Sequence, residues 1–521
     1  MSAPSAPLLV GLDAGTTRVR ALVFDAETCR PVAEGSQPTP MDYPHPGWAG
    51  YETEALWRAA AAAIRQALAG VDDPRRIVGI GTSSVGETGI GLDAAGEPTA
   101  PAIAWFDKRS HAECEDLRAR HGDDALTLRT GMRLDPIAGL PKMLWFKRNH
   151  PDAFARTAHW LTVADYLNYR LSGVVATDYS LASRTLALDM RSLAWADDLI
   201  DDAGIPRHLF QQVLPSGARL GPLTPEAAAA TGLPAHCVSA VAGHDHPLGA
   251  LAVGVFTPGT LIDSLGTSEA CLFAIDRPID EPAIFAQGFE QEVFVVDRPM
   301  YLALGGLYTC GAAVEWFRKN LAGGADFDTL NAGAATVPPG SLGVTFLPHL
   351  RLGTPPNLDN RSRGAFIGLS TDATPAVFYR ALLEGVAFDL KNLADAMGAI
   401  PRILAGEAAG AGGITDAIRR IRIIGGGSKN ELLLRIKATV YDRTLDVVEV
   451  PEAVSLGAAL FAGMAAGVYA GLDAALAAVP QTVHRIEPVP EWRDLYRQRF
   501  REVWQPAVKA LQPLHWAARG G

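Results

Sequence analysis

Two short segments place glycine and hydroxyl side chains where they could hold an anion. Gly15-Thr16-Thr17 follows the apolar run at 8–12 and leads into a second apolar run ending at Asp25. Gly266-Thr267-Ser268 repeats the arrangement and leads to Asp276. In such a turn glycine lets backbone N–H groups approach a phosphate closely, and the hydroxyls add donors. Residue 266 follows residue 15 by 251 positions in a chain of 521, so the echo implies two similarly built halves that divide near residue 250. Two such hairpins facing each other across a cleft would grip one polyphosphate.

Other groups could act beside them. Asp13 ends the first apolar run, where a carboxylate can orient Mg²⁺ directly or through water, or simply brace an Asx-type turn. Asp245, in Gly243-His244-Asp245-His246-Pro247, lies between a strand-like run and a segment whose Pro247 suits a helix start. Carboxyl ends of strands are where α/β sites collect, so Asp245 reads either as a proton acceptor or as a helix N-cap. His244 and His246 form an HxH pair, but no second ligand pair accompanies them to complete a zinc site. Gly425, Gly426 and Gly427 follow the run Ile421-Arg422-Ile423-Ile424 and would let backbone approach a nucleoside.

Elements must carry these groups. Apolar runs predict strands at 8–12, 21–24, 77–81, 238–242 and 421–424, and helical spacing predicts helices at 53–68, 375–397, 431–440 and 492–511. The alternation is that of mixed α/β layers. The length suits two or three domains of about 150 residues or more. With 46 Lys+Arg against 57 Asp+Glu the net charge is −11, which repels nucleic acid and anionic membrane and favours a small-molecule partner. The stretch 454–472 lacks charge for about the length of a membrane span, but it is mostly Ala and Gly and reads as a closely packed buried helix. Five dispersed cysteines without CxxC spacing, and no basic, apolar leader, fit a reducing cytoplasm.

Taken together these segments resemble the FGGY carbohydrate kinase family of the actin-like ATPase superfamily, over nearly the whole chain. Asp13-Ala14-Gly15-Thr16-Thr17 resembles its first phosphate motif and Leu265-Gly266-Thr267-Ser268 its second. Phe346 to Leu350, Pro356 to Asp359 and Arg363 to Gly368 resemble its signature region, and Ile424 to Asn430 its adenosine motif. The resemblance implies an α/β fold of two actin-like (ribonuclease-H-like) domains, 1–250 and 251–480, around an active-site cleft, with a helical tail at 481–521. It implies ATP and Mg²⁺, with Asp245 as general base and Asp13 as the metal-orienting carboxylate. Nucleotide contacts fall on Gly15, Thr16, Thr17, Gly266, Thr267, Gly311, Gly426, Gly427 and Asn430. Acceptor contacts fall on Arg20, Glu87, His246 and, in Trp105-Phe106-Asp107-Lys108-Arg109, on Trp105 and Asp107.

The acceptor implied is a ketose of xylulose, ribulose or fuculose type, with a glycerol- or erythritol-like polyol as the alternative. Glu87 fits the Arg-Glu pattern of glycerol kinases, but Gly86 stands in place of its arginine, and the Gln-Met-His-Gly of xylulokinases is absent. Related kinases are often oligomers, and no segment here identifies an interface. A non-catalytic sugar or nucleotide sensor would share the fold but would have no need of Asp13, Thr16, Thr267 and Asp245 together, and a hydrolytic or structural actin-like protein would have no need of Trp105 and Asp107 beside a sugar pocket.

Overall fold

The computed structural model describes residues 6–257, 259–266, 268–407, 417–450 and 452–517; Thr267, an expected phosphate donor, lies outside the described residues. A six-stranded sheet runs Arg219–Pro222, Val238–His244, Ile77–Ser84, Leu8–Ala14, Arg18–Asp25, Pro31–Pro38, and a seven-stranded sheet runs Glu290–Val295, Pro299–Leu307, Glu269–Ile275, Thr260–Leu265, Arg420–Ile424, Leu445–Glu449, Thr482–Ile486. Both sheets use one plan. The opening strand (8–14 or 260–265) lies antiparallel to the next and parallel to a later strand (77–84 or 420–424). That strand is in turn parallel to another (238–244 or 445–449). This is a duplicated ribonuclease-H-like topology, in which the antiparallel pair 8–14 and 18–25 corresponds to the pair 260–265 and 269–275.

The register levels three strand ends. Ala14 pairs with Ser84 and Ser84 with His244, so the carboxyl ends of three parallel strands form one edge. Within it Asp13 lies between Arg20 and Ser83 on its two neighbours.

One face of this sheet is covered by the helix Thr53–Leu68, through Leu56, Trp57, Ala60, Ile64 and Ala67. The other face takes Ala453–Ala465, a helix that the chain supplies only after finishing most of the second sheet. Glycines permit its approach: a Cβ at Gly11 would stand 1.8 Å from Ser455 O, at Gly81 2.1 Å from Ala458 O, and at Gly79 2.7 Å from Ala462 O. Of the uncharged stretch 454–472, the part to Ala465 lies in this helix and is buried from Ser455 to Gly463, and the remainder is largely a partly exposed turn. Among the described residues no helix is long and apolar enough to cross a membrane.

The same helix packs on Asp245–Ala252, where a Cβ at Gly457 would meet Leu248 O at 2.7 Å. The division expected near residue 250 falls inside that helix. The second sheet packs on Pro375–Leu404 and Glu431–Tyr441. The segment from 481 does not start as helix: Thr482–Ile486 forms an edge strand, and only then do the helices 493–498 and 505–517 follow, with a wider turn at 499–504 between them. Tyr496 fastens this end to the long helix by donating to Glu384 and accepting from Arg380, each at 2.7 Å. All five cysteines are buried and unpaired.

Candidate active site

The first hairpin is braced from two sides. Gly15 N–H donates to Arg18 O at 3.0 Å, closing the turn, and Thr39 clasps it by donating its hydroxyl to Gly15 O at 2.8 Å and its amide to Thr17 O at 3.1 Å. Trp105 Nε1 donates to Thr16 Oγ1 at 2.9 Å, joining the tryptophan to this turn. Asp13 accepts from Ser83 Oγ at 2.9 Å. Burial and the nearby Asp245 carboxylate push the Asp13 carboxyl up to about 7, against the opposing pull of Ser83 and Arg20. A buried carboxylate beside this turn offers oxygen of the kind suited to a hard divalent cation. Among the described residues no three His, Cys, Asp or Glu side chains are grouped to hold a metal, so Asp13 would hold such an ion with water and phosphate oxygens.

Asp245 begins its helix just beyond the strand Val238–His244, with its side chain about 20% exposed. Gly243 makes this possible. It sits at a shift in strand register with φ +124°, and a Cβ there would collide with Ser180 Oγ at 2.6 Å and Asp178 Oδ2 at 2.7 Å. Asp245 Oδ1 accepts the His246 amide at 2.6 Å, while the His246 ring is largely exposed with Nε2 4.0 Å from the same oxygen. His244 is buried beneath, its Nδ1 2.8 Å from Glu292 Oε1 on the second sheet.

Glu87 lies in the loop after Ile77–Ser84 and is buried against Arg184, whose Nε and Nη2 reach Glu87 Oε1 at 2.7 and 2.6 Å. Burial alone would raise the Glu87 carboxyl, but Arg184, His244 and Lys142 outweigh it and hold it down at about 2. Arg184 itself rests where a side chain on residue 86 would go: a Cβ at Gly86 would be 3.1 Å from Arg184 Cγ. Lys142, without exposed surface, donates to Glu87 O, Ala104 O and Trp105 O at 2.7, 2.9 and 3.0 Å, tying the loops of Glu87 and Trp105 together. Burial brings its ammonium down to about 7, against the pull of Glu87 and Asp107.

Three further residues expected to contact substrate or nucleotide are held by partners within the chain. Asp107 has no exposed surface, and its carboxylate accepts from Arg109 Nε and Nη2 at 2.9 and 2.6 Å and from the Ala49 amide at 2.6 Å. These contacts hold the loop between Ala49 and Arg109. Arg20 is ion-paired to Glu452, which precedes the helix Ala453–Ala465, so it links the first hairpin to a helix of the second half. Asn430 caps the helix Glu431–Tyr441, accepting the Leu433 amide at 3.0 Å, and its own amide donates to Asn331 at 3.0 Å.

The remaining glycines lie beside the hairpin that joins Thr260–Leu265 to Glu269–Ile275. Gly311 N–H, at the start of the helix Gly311–Asn320, donates to Gly266 O at 3.2 Å, which sets that helix's N-terminus, a favourable end for an anion, beside the turn. Gly425 has φ +91°, and a Cβ on it would stand 2.4 Å from Leu265 O; one on Gly427 would stand 2.9 Å from Leu265 Cβ. Gly426 has open space above it. Beneath the hairpin the fully buried Lys437 pairs with Asp263 and Glu269, joining its strands to the helix after the glycines. Sequence reasoning missed Arg184, Glu292, Ser83 and Lys437. Only Ser83, in a polar run ending an apolar strand, carried a local signal.

Residues 8–252 match the N-terminal domain of the FGGY family of carbohydrate kinases and residues 262–466 its C-terminal domain. A glycerol kinase of Geobacter sp. (strain M21) is 32% identical over 518 residues, 96% of this chain and 98% of that one. A xylulose kinase of Bacillus subtilis (strain 168) is 26% identical over 459 residues, 87% of each chain. The solved structure of a xylulose kinase from Rhodospirillum rubrum superposes with a TM-score of 0.85 at 27% identity, covering 98% of this chain and 99% of that one. By this full-length similarity the chain belongs to the FGGY family of carbohydrate kinases.

Proposed function

We propose that this kinase transfers the γ-phosphoryl group of ATP to a primary hydroxyl of a small neutral ketose of xylulose, ribulose or fuculose type, with Asp245 as general base. The observation that carries the reading is Asp245 itself: a partly exposed carboxylate at the edge where three strands end, one oxygen held by the His246 amide, beside the Asp13 and Thr16 hairpin. Bound ATP supplies the phosphoryl group, and Mg²⁺ offsets the charge on its oxygens. Asp245 takes the acceptor's hydroxyl proton as the oxygen–phosphorus bond forms and the bond to ADP breaks, its electron pair leaving on ADP. Gly15, Thr16, Thr17 and the Gly266 turn hold phosphates, Asp13 orients the cation, and Gly426 and Gly427 leave room for the nucleoside. Glu87, fixed by Arg184, together with Trp105 and His246, orients the acceptor. Drawing the two halves together excludes water and limits ATP hydrolysis.

A polyol is the second reading, supported by the glycerol kinase relatives. An ADP-release assay against ketoses, polyols and aldonates tests the proposal. Turnover with a ketose is expected, a preference for a polyol would select the second reading, and activity confined to aldonates would refute both. The five buried thiols suit a reducing cytoplasm.

A further inference from the structure

We propose that Glu292 is a positioning residue for the base: it holds His244 as an imidazolium directed at Asp245, so that a strand of the second sheet sets the proton acceptor carried by the first. The inference rests on the reading of Asp245 as general base. His244 bridges two carboxylates, with Nδ1 2.8 Å from Glu292 Oε1 and Nε2 3.3 Å from Asp245 Oδ1. Glu292 has no exposed surface, and its second oxygen has no hydrogen-bond partner, so the buried carboxylate depends on a cation for compensation. His244 is the only cation paired with it among the described residues.

Every element around the imidazole contributes charge. Glu292 faces it from Glu290–Val295, Asp245 and His246 from its own chain segment, and Glu87 from the loop after Ile77–Ser84. Arg184 stands across Gly86, whose Cβ position is 3.1 Å from Arg184 Cγ and 3.3 Å from His244 Nε2. The His244 amide donates to Ser180 Oγ at 2.9 Å, and Ser180 is held by Asp178. Burial opposes charging the ring, but Glu292, Asp245 and Glu87 prevail and carry it up to about 9. As an imidazolium, His244 has a proton on both nitrogens, so Nδ1 donates to Glu292 while Nε2 presents its positive charge to Asp245. Asp245 Oδ1 then lies between Nε2 and the His246 amide, which leaves Oδ2 as the basic oxygen. Arg184, 3.6 Å from Glu290, makes a parallel contact to the same face of the same strand.

A group whose folded pKa is raised is charged below that value and loses its charge as pH rises through it. Activity of the native kinase should therefore fall above about pH 9 as His244 deprotonates. The experiment measures kcat against pH, and titrates the labelled histidine imidazoles by NMR, for native enzyme, Glu292→Gln and Glu292→Asp, with ATP affinity as control. In Glu292→Gln the alkaline fall and the His244 titration should both move toward neutrality by about one unit or more, with ATP affinity unchanged. Glu292→Asp should recover part of the shift. A native-like profile in Glu292→Gln, or a loss that is uniform with pH, overturns the proposal. Should Glu292→Gln fail to fold, an unshifted profile in Glu292→Asp overturns it equally. Asp245→Asn separates the two readings: if it retains turnover the base assignment fails, and if it is inactive while the Glu292 profiles stay put, only the positioning role fails.

Discussion

Replacing Arg184 with methionine keeps most of the side-chain stem and removes the guanidinium from a pair whose side chains are 9% and 6% exposed. Glu87 would remain buried with only His244 and Lys142 to compensate it. Its carboxyl sits at about 2 against an ordinary 4.5, and at about 1.4 kcal/mol per pKa unit the surrounding charges favour the ionised form by roughly 3 kcal/mol. The cost of breaking a buried pair by removing one partner, about 3–5 kcal/mol, is of the same size. Because the folded pKa is depressed, this stabilisation is present above about pH 4.5 and is lost as pH falls toward 2. At pH 7 Arg184→Met should therefore lower the melting temperature of its half by roughly 6–12 °C, at about 2–4 °C per kcal/mol. Acceptor KM should rise, because Glu87 is no longer fixed. Scanning calorimetry and ADP-release kinetics on Arg184→Met, Glu87→Gln and the double variant complete a cycle in which the double variant is less damaged than the sum of the singles by about 2 kcal/mol. Additivity within about 0.5 kcal/mol would refute a coupled pair.

Gly243→Ala should cost about 1–3 kcal/mol and reduce kcat, since its Cβ would strike Ser180 and Asp178 while φ stays at +124° and Asp245 would be displaced; a variant with native melting temperature and kcat would contradict this. Asp13→Asn should raise the Mg²⁺ concentration for half-maximal activity at least about tenfold, while calorimetry in EDTA finds metal-free ATP binding unchanged. Asp107→Asn should lower the melting temperature through loss of the Arg109 pairing without raising acceptor KM more than about twofold; a large KM effect with native stability would support an acceptor role.

Local residue types made much of the fold legible. The helix Thr53–Leu68 and the opening strands follow from periodicity, and the repeat at 15 and 266 located equivalent hairpins because duplication copied the turn along with the sheet. Asp245 was legible as the residue between a strand and a helix. Its neighbours were not: Arg184 reaches Glu87 across 97 positions, Glu292 reaches His244 across 48, and Glu452 reaches Arg20 across 432, distances at which no periodicity operates. Nothing local in Trp105-Phe106-Asp107-Lys108-Arg109 marks Asp107 as buried; the Ala49 amide and the return of Arg109 make it so. Asn430 did carry a signal, since Asn before Glu and an apolar run is an N-cap pattern. The packing of Ala453–Ala465 on the first sheet left its trace in Gly11, Gly79 and Gly81, which have meaning only once the covering helix is known.

The most direct measurement is phosphoryl transfer by Asp245→Asn, with ATP binding followed in parallel by calorimetry. A neutral amide of the same shape cannot take the acceptor's proton, so kcat should fall by about 10² to 10⁴ while ATP affinity stays within about twofold of native. Near-native turnover with ATP bound normally would contradict the assignment of Asp245 as the base.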